Sequence, residues 1–316
     1  MQNRLENFPV MMFTVIMGFS GLTITYQKAY ELLNYPHIIS SFLVIVTSVL
    51  FLIISFIYIS KTIFYTSQAL WEYNHPIRIN FFATFSISLL LFAIIYHDIN
   101  TVVSAWFFYI GAVLHLFLTL RTISFWIGKN QDITHTNPAW FIPIVGNVLV
   151  PVAGVGVVSN YILMFYFSIG IFFWIILFAF ILNRIIFHHQ LAQKFLPTLF
   201  ILIAPPSIGF IAYVKLYGTI DMLALFLFDI GIFFTILVIF MYKQFIGIKY
   251  ALSWWAYIFP LASMTIASLL FYKLTDFDVI YYMANFLISL LNIMFFIVLY
   301  NTIKNIFKKN ICIEER

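Results

Sequence analysis

What most constrains this 316-residue chain is its division into about ten apolar stretches, each long enough to cross the roughly 30 Å hydrocarbon core of a bilayer. They fall at about 8–26, 38–60, 79–96, 101–127, 141–159, 161–187, 195–216, 222–245, 250–272 and 279–307. Membrane-barrel strands are excluded, because the runs last about twenty residues and lack period-2 alternation. Helices satisfy their backbone polar groups internally, which hydrocarbon demands. With 64% hydrophobic and 9% charged residues, the chain has too little charge to clothe a soluble domain of this size. The expected fold class is therefore an all-α polytopic membrane protein, a single transmembrane domain over residues 1–316.

The charges sort by connection. Arg4, Lys61, Arg78, Arg121, Lys129, Arg184, Lys194, Lys243, Lys249, Lys304, Lys308, Lys309 and Arg316 lie at the termini or the even-numbered connections. Only Lys28, Lys215 and Lys273 lie at the odd ones, whereas acids such as Glu31, Asp98, Asp221, Asp276 and Asp278 show no such bias. A Lys/Arg-only asymmetry is the signature of cytoplasmic connections. Both termini are expected in the cytoplasm, with an even number of spans, in an inner or plasma membrane. The net charge of +5 is thus mostly a topological signal, and no basic face outside the membrane suggests nucleic acid. The single cysteine, Cys312, excludes an intrachain disulfide. The first span follows Arg4 as a signal peptide would, but lacks a small-x-small cleavage site before a soluble domain and is expected to be retained.

The spans have two textures. Odd-numbered ones are rich in small and helix-bending residues: Gly18 and Gly21 in the first; Thr84, Ser86 and Ser88 in the third; Pro143, Gly146, Asn147 and Pro151 in the fifth. Pro205 and Gly209 mark the seventh, Pro260 and Ser263 the ninth. Even-numbered spans contain no proline and are dominated by Phe, Ile and Leu. Small residues let helix backbones approach, and an interior proline bends the helix. Broken helical backbone at membrane depth has to be covered by protein or face a water-filled cavity. Five helical hairpins follow, odd helices inside and even helices outside, and the near-regular spacing of Pro151, Pro205 and Pro260 suits a repeated unit.

Between their ends the odd spans carry no Asp, Glu, Lys, Arg or His. Coupled transporters usually show an ionisable intramembrane group, so uncharged walls favour channel-like permeation without fixing the sign of the ion. Asp229, the one acid well inside a span, sits on the eighth and is expected outside the pore, either as a functional group or as a polar contact to a neighbouring helix or subunit. Arg78 and Arg121 lie near helix ends, where they could lend positive potential to a vestibule or meet lipid headgroups and helix-end carbonyls. No metal site is expected: His188 and His189 are adjacent and point about 100° apart on a helix, and His97, His115 and His135 sit on different elements without convergent carboxylates. No zinc-protease, P-loop, Rossmann or nucleophile-elbow motif occurs, so neither an enzyme nor a cofactor is expected.

Three segments carry a family resemblance. Trp71-Glu72-Tyr73-Asn74-His75-Pro76-Ile77-Arg78-Ile79-Asn80-Phe81-Phe82 resembles the His-Pro-x-Arg-x-Asn/Ser-Phe opening of the third helix in the tellurite-resistance/dicarboxylate transporter family, which includes the plant guard-cell slow anion channels. Asn137-Pro138-Ala139-Trp140-Phe141-Ile142-Pro143-Ile144-Val145-Gly146-Asn147 is similar to the start of its fifth helix, and Phe259-Pro260-Leu261-Ala262-Ser263-Met264 to its ninth-helix motif. Together with the ten-helix, five-hairpin pattern, the resemblance spans almost the whole chain. It implies an inner ring of helices around a central pore in each subunit and assembly as a homotrimer. It also implies that Phe259 projects into the pore and gates it.

The expectation is uncoupled passage of small inorganic or organic anions across the lipid bilayer, through a pore lined by the small and bending residues of the odd helices. Anion selectivity rests on the resemblance, whose proposed substrates range from chloride and nitrate to malate and tellurite. The alternative is a proton-linked carrier for C4-dicarboxylates or tellurite.

Overall fold

The computed structural model describes residues 4–188 and 190–313, which are helical apart from connections and one isolated pairing of Val155 with Val158. His189 and Arg316 lie outside the described residues. Nine helices among the described residues are long and apolar enough to cross a membrane. They are α1 Val10–Leu33, α2 His37–Phe64, α3 Arg78–Tyr96, α4 Thr101–Gly128, α6 Asn160–Phe187, α7 Gln193–Tyr217, α8 Met222–Phe240, α9 Leu252–Thr275 and α10 Asp278–Phe307. Between α4 and α6 runs a shorter apolar helical segment, α5 Pro138–Gly154. The chain is a multi-span, all-helical membrane protein.

The two textures separate in space. In the most apolar 18-residue windows, 78% of α1, α3 and α7 and 67% of α9 are buried, against 22% of α2 and 33–39% of α4, α6, α8 and α10. All of α5 is buried except Gly146, which is half-exposed. The inner elements close a ring of contacts in the order α1, α3, α5, α7, α9 and back to α1. Each even helix packs on the odd helix before it, giving five hairpins.

Every inner segment opens with 3-10 turns before it becomes α-helical: Val10–Met12, Arg78–Phe82, Pro138–Trp140, Gln193–Ile203 and Leu252–Tyr257. The tighter helix rises about 2.0 Å per residue, so fewer residues reach further. α5 is interrupted again at Gly146–Val148, between Pro143 and Pro151. That break is covered by protein: Thr119 of α4 donates to the Pro143 carbonyl (2.7 Å), and Asn147 donates to Thr119 Oγ1 (2.8 Å) and the Ile144 carbonyl (2.8 Å). Some expected boundaries shift. α1 runs on from Tyr26 to Leu33, where Asn34 ends it in a left-handed conformation, and the fifth segment starts and stops earlier than its hydropathy indicates.

Candidate functional site

A cavity of about 70 Å³ lies inside the ring. All five inner segments line it, through residues such as Met17, Ile87, Phe141, Gly146, Pro205, Phe259 and Pro260. These positions cluster where each segment passes from 3-10 to α-helix, at Phe13, Ala83, Phe141, Ala204 and Ile258. The cavity therefore sits at the level where the inner backbones change geometry. None of its described lining residues is ionisable; Thr14, Thr198 and Ser253 supply hydroxyls among apolar neighbours. A space of this size holds a few waters at most, and an apolar constriction resists wetting.

Phe259 is half-buried on this wall, in the first turn of the α-helical part of α9. Its backbone carbonyl accepts from Ser263 Oγ (2.8 Å). On the neighbouring α1, a Cβ on Gly21 would lie 2.9 Å from Ala262 Cβ and 3.5 Å from Phe259 Cδ2. Gly21 thus lets α1 close on α9 beside the phenylalanine.

The expected lining residues divide. Gly146, Pro205 and Pro260 line the cavity with Phe259, while Gly18, Gly21, Ser88, Asn147, Pro151 and Ser263 are not on its wall. Gly18 makes room for Trp255, whose Cε3 would be 2.6 Å from an added Cβ. Ser88 donates to the Thr84 carbonyl (2.7 Å), and Pro151 is buried in α5.

Beyond Leu252 and Ser253, which line both spaces, the cavity adjoins a vestibule of about 820 Å³. Arg78, Lys194, Lys249, Lys304 and Lys308 line it, and its described lining includes no Asp or Glu. Arg78 is held by Glu72, whose Oε1 accepts from Nη1 at 2.7 Å, and its guanidinium lies 4.7 Å from the Trp71 ring. Glu72 Oε2 also accepts from Lys61 Nζ (2.7 Å) and the Tyr58 hydroxyl (3.2 Å). Lys61 and Glu72 are each 1% exposed, and Lys61 donates onward to the Phe8 carbonyl (2.9 Å). Two cations share one carboxylate, so the cluster keeps a net positive charge. Arg121 is not part of the vestibule wall: it donates to Asn74 Oδ1 (3.0 Å) and stacks over Tyr73 (4.8 Å) and Phe125 (5.5 Å).

At the other end of the ring, Lys28, Lys215 and Lys273 stand near the C-terminal ends of α1, α7 and α9. Lys28 pairs with Glu31 at 2.8 Å, and Lys215 donates to the Val152 carbonyl of α5 (2.9 Å). Asp221 caps α8 through the N–H groups of Leu223 and Ala224 (3.0 Å each) and accepts from the Tyr213 hydroxyl; these bonds, Tyr213's foremost, hold its carboxyl below the usual range.

Two features escaped the sequence reading. His115 of α4 is fully buried against Gly146: Ser86 Oγ lies 2.9 Å from its Nδ1, and its Nε2 has no hydrogen-bond partner among the described residues. Its place behind α5 shows only once α4 is seen to pack across the helix break. The Lys61–Glu72 pair was equally hidden, because its members lie eleven positions apart across a helix junction.

Residues 7–303 match the family described as voltage-dependent anion channel, SLAC1. The chain belongs to the SLAC1 family. It is similar to an uncharacterized transporter of Methanocaldococcus jannaschii, 27% identical over 97% of both chains. It is 24% identical to a tellurite resistance protein TehA homolog of Haemophilus influenzae, over 84% of this chain and 81% of the relative. The S-type anion channel SLAH2 of Arabidopsis thaliana is 28% identical over 63% of this chain, which corresponds to 39% of the longer plant protein.

Proposed function

We propose that this SLAC1-family protein conducts small anions through the ring of α1, α3, α5, α7 and α9, with Phe259 as the gate. One observation carries the reading: five inner segments enclose a narrow cavity without ionisable lining, Phe259 stands on its wall, and a vestibule with five basic side chains adjoins it. The vestibule concentrates anions by its potential, the uncharged passage binds them weakly enough to release them, and the aromatic ring obstructs the constriction. Arg78 carries the vestibule charge together with the four lysines, and Arg121 adds to the field from behind Tyr73. Gly18, Gly21, Ser88, Asn147, Pro151 and Ser263 support the passage by setting how closely the inner helices pack.

Residues 1–316 form one transmembrane unit in a plasma or inner membrane, with both termini on the vestibule side, in the cytoplasm. Homotrimeric assembly has a structural argument in Asp229. It is exposed on the outer helix α8, where a carboxylate facing hydrocarbon is costly unless a neighbouring copy covers it. The similarity to an S-type anion channel and to a tellurite resistance protein makes anions, tellurite among them, the first substrates to try. A proton-linked carrier has one observation in its favour, the buried imidazole of His115 directly behind the cavity-lining Gly146.

Bilayer or oocyte recording of wild type beside Phe259→Ala tests the gate. The variant is expected to carry larger currents that reverse at the anion's equilibrium potential. Equal currents remove Phe259 from the gate, and a reversal potential that follows the pH gradient favours the carrier.

A further inference from the structure

A second large space lies on the outside of the ring. A groove of about 910 Å³ runs between α2 and α10, from Tyr26 and Ile39 at one end to Arg4, Ile306 and Cys312 at the other. Its rims are lipid-facing residues of α2 and α10: Phe42 and Phe296, for example, are 63% and 64% exposed. Its floor is the inner ring itself, through Val15, Phe19 and Trp255.

Trp255 decides what this groove can do, because it lines both the groove and the central cavity. Its indole stacks on Phe19 (5.6 Å between centroids), fills the recess left by Gly18, and donates from Nε1 to Thr302 Oγ1 of α10 (3.1 Å). An apolar furrow open to the bilayer and ending at an arginine has the form of a phospholipid: hydrocarbon along its length and cationic charge at headgroup level. Arg4 stands at that end beside Cys312, which also lines the basic vestibule with Lys304 and Lys308. A basic side chain at headgroup level favours an anionic lipid.

We propose that the α2–α10 groove binds an anionic phospholipid of the leaflet on the vestibule side, whose acyl chain lies against Trp255. The chain completes the wall of the ring, holding the indole in the Gly18 recess and closing the cavity sideways. The binding claim needs only that the protein spans a membrane. Its consequence for conduction rests on the anion reading above.

The test is quenching of tryptophan emission by brominated acyl chains, with wild-type protein and Trp255→Phe reconstituted in brominated phosphatidylglycerol or brominated phosphatidylcholine. Trp255 is 1% exposed, and of the two spaces it lines the groove is the one rimmed by lipid-facing residues, so a brominated chain is expected to reach it there. The Trp255 contribution, wild type minus variant, is expected to be quenched. Phosphatidylglycerol should be preferred about fivefold, the advantage one arginine confers near an anionic headgroup, and Arg4→Gln should abolish that preference. An unquenched Trp255 contribution overturns the proposal and assigns the groove to a second copy or to no ligand. Equal quenching by both lipids overturns the headgroup choice. Native mass spectrometry of the wild-type protein gives an independent reading: phosphatidylglycerol should remain bound after detergent exchange and be lost in Val46→Trp, which fills the groove. Retention in that variant equal to wild type also overturns the site. Neither readout depends on ion flux, so failure here leaves the conduction reading untouched, and the reverse holds.

Discussion

Glu72 ties four elements together behind the vestibule residue Arg78. Its carboxylate bonds Lys61, Arg78 and Tyr58, and the Val10 N–H lies 3.4 Å from Oε1, so the short helix Thr66–Asn74, α2, α3 and the start of α1 meet on one side chain. Removing one member of a buried ion pair leaves the other charge uncompensated, which costs about 3–5 kcal/mol. Glu72→Gln is therefore expected to lower the thermal midpoint in detergent sharply, because it takes the carboxylate partner from Lys61 and Arg78 in a site where Lys61 is 1% exposed. A midpoint within error of wild type would show that Lys61 finds water or another acceptor. The sequence showed Glu72 and Arg78 six positions apart in one motif but not what they do for each other. Side-chain pairing across a helix junction depends on the angle between helices, and hydropathy and spacing carry no information about that angle.

Among the elements, the least regular is the most tightly held. α5 is only as long as Pro138–Gly154 and changes helical type three times, yet it is buried almost completely. α6 can lie against this break because it presents Gly170 there: an added Cβ would fall 2.2 Å from Val148 Cγ2 and 3.0 Å from the Val148 backbone nitrogen. The valine methyl is stiff and the backbone cannot yield, so Gly170→Ala should cost about 1–3 kcal/mol as an overpacking change. Unfolding of the purified variant by graded denaturant checks this, and an unchanged midpoint would mean that α6 slides freely over α5. The prolines and glycines of 141–159 announced a bent inner segment. They did not announce its length, because Gly156 and the valines around it read as apolar although the helix has ended at Gly154. The 3-10 openings of the inner segments were equally silent, since residue composition does not distinguish a 3-10 turn from the α-helical turns that follow.

Across the whole molecule, the contrast between bent and straight helices in the sequence translated directly into the closed inner ring and its outer sleeve, because burial of small residues is a packing demand visible in composition. Charge was legible only as topology. Lys304 and Lys308 read as markers of one membrane face, whereas the fold gathers them with Lys194, Lys249 and Arg78 around a single opening that adjoins the cavity. Convergence of residues from four separate connections and helix ends is a property of the ring, not of any local segment. If that opening acts as an electrostatic funnel, its effect has to be screened by salt, since the Debye length shrinks from about 10 Å at 0.1 M to about 3 Å at 1 M. Replacing both Lys304 and Lys308 by glutamine is then expected to lower single-channel anion conductance by up to about tenfold at low ionic strength. The same double variant should approach wild type at 1 M salt, while Phe259→Ala, which opens the constriction rather than altering the field, should keep its larger current at both concentrations. Equal sensitivity of the lysine variant at low and high salt would mean that the two side chains contact the ion or the fold directly and that the vestibule is no funnel.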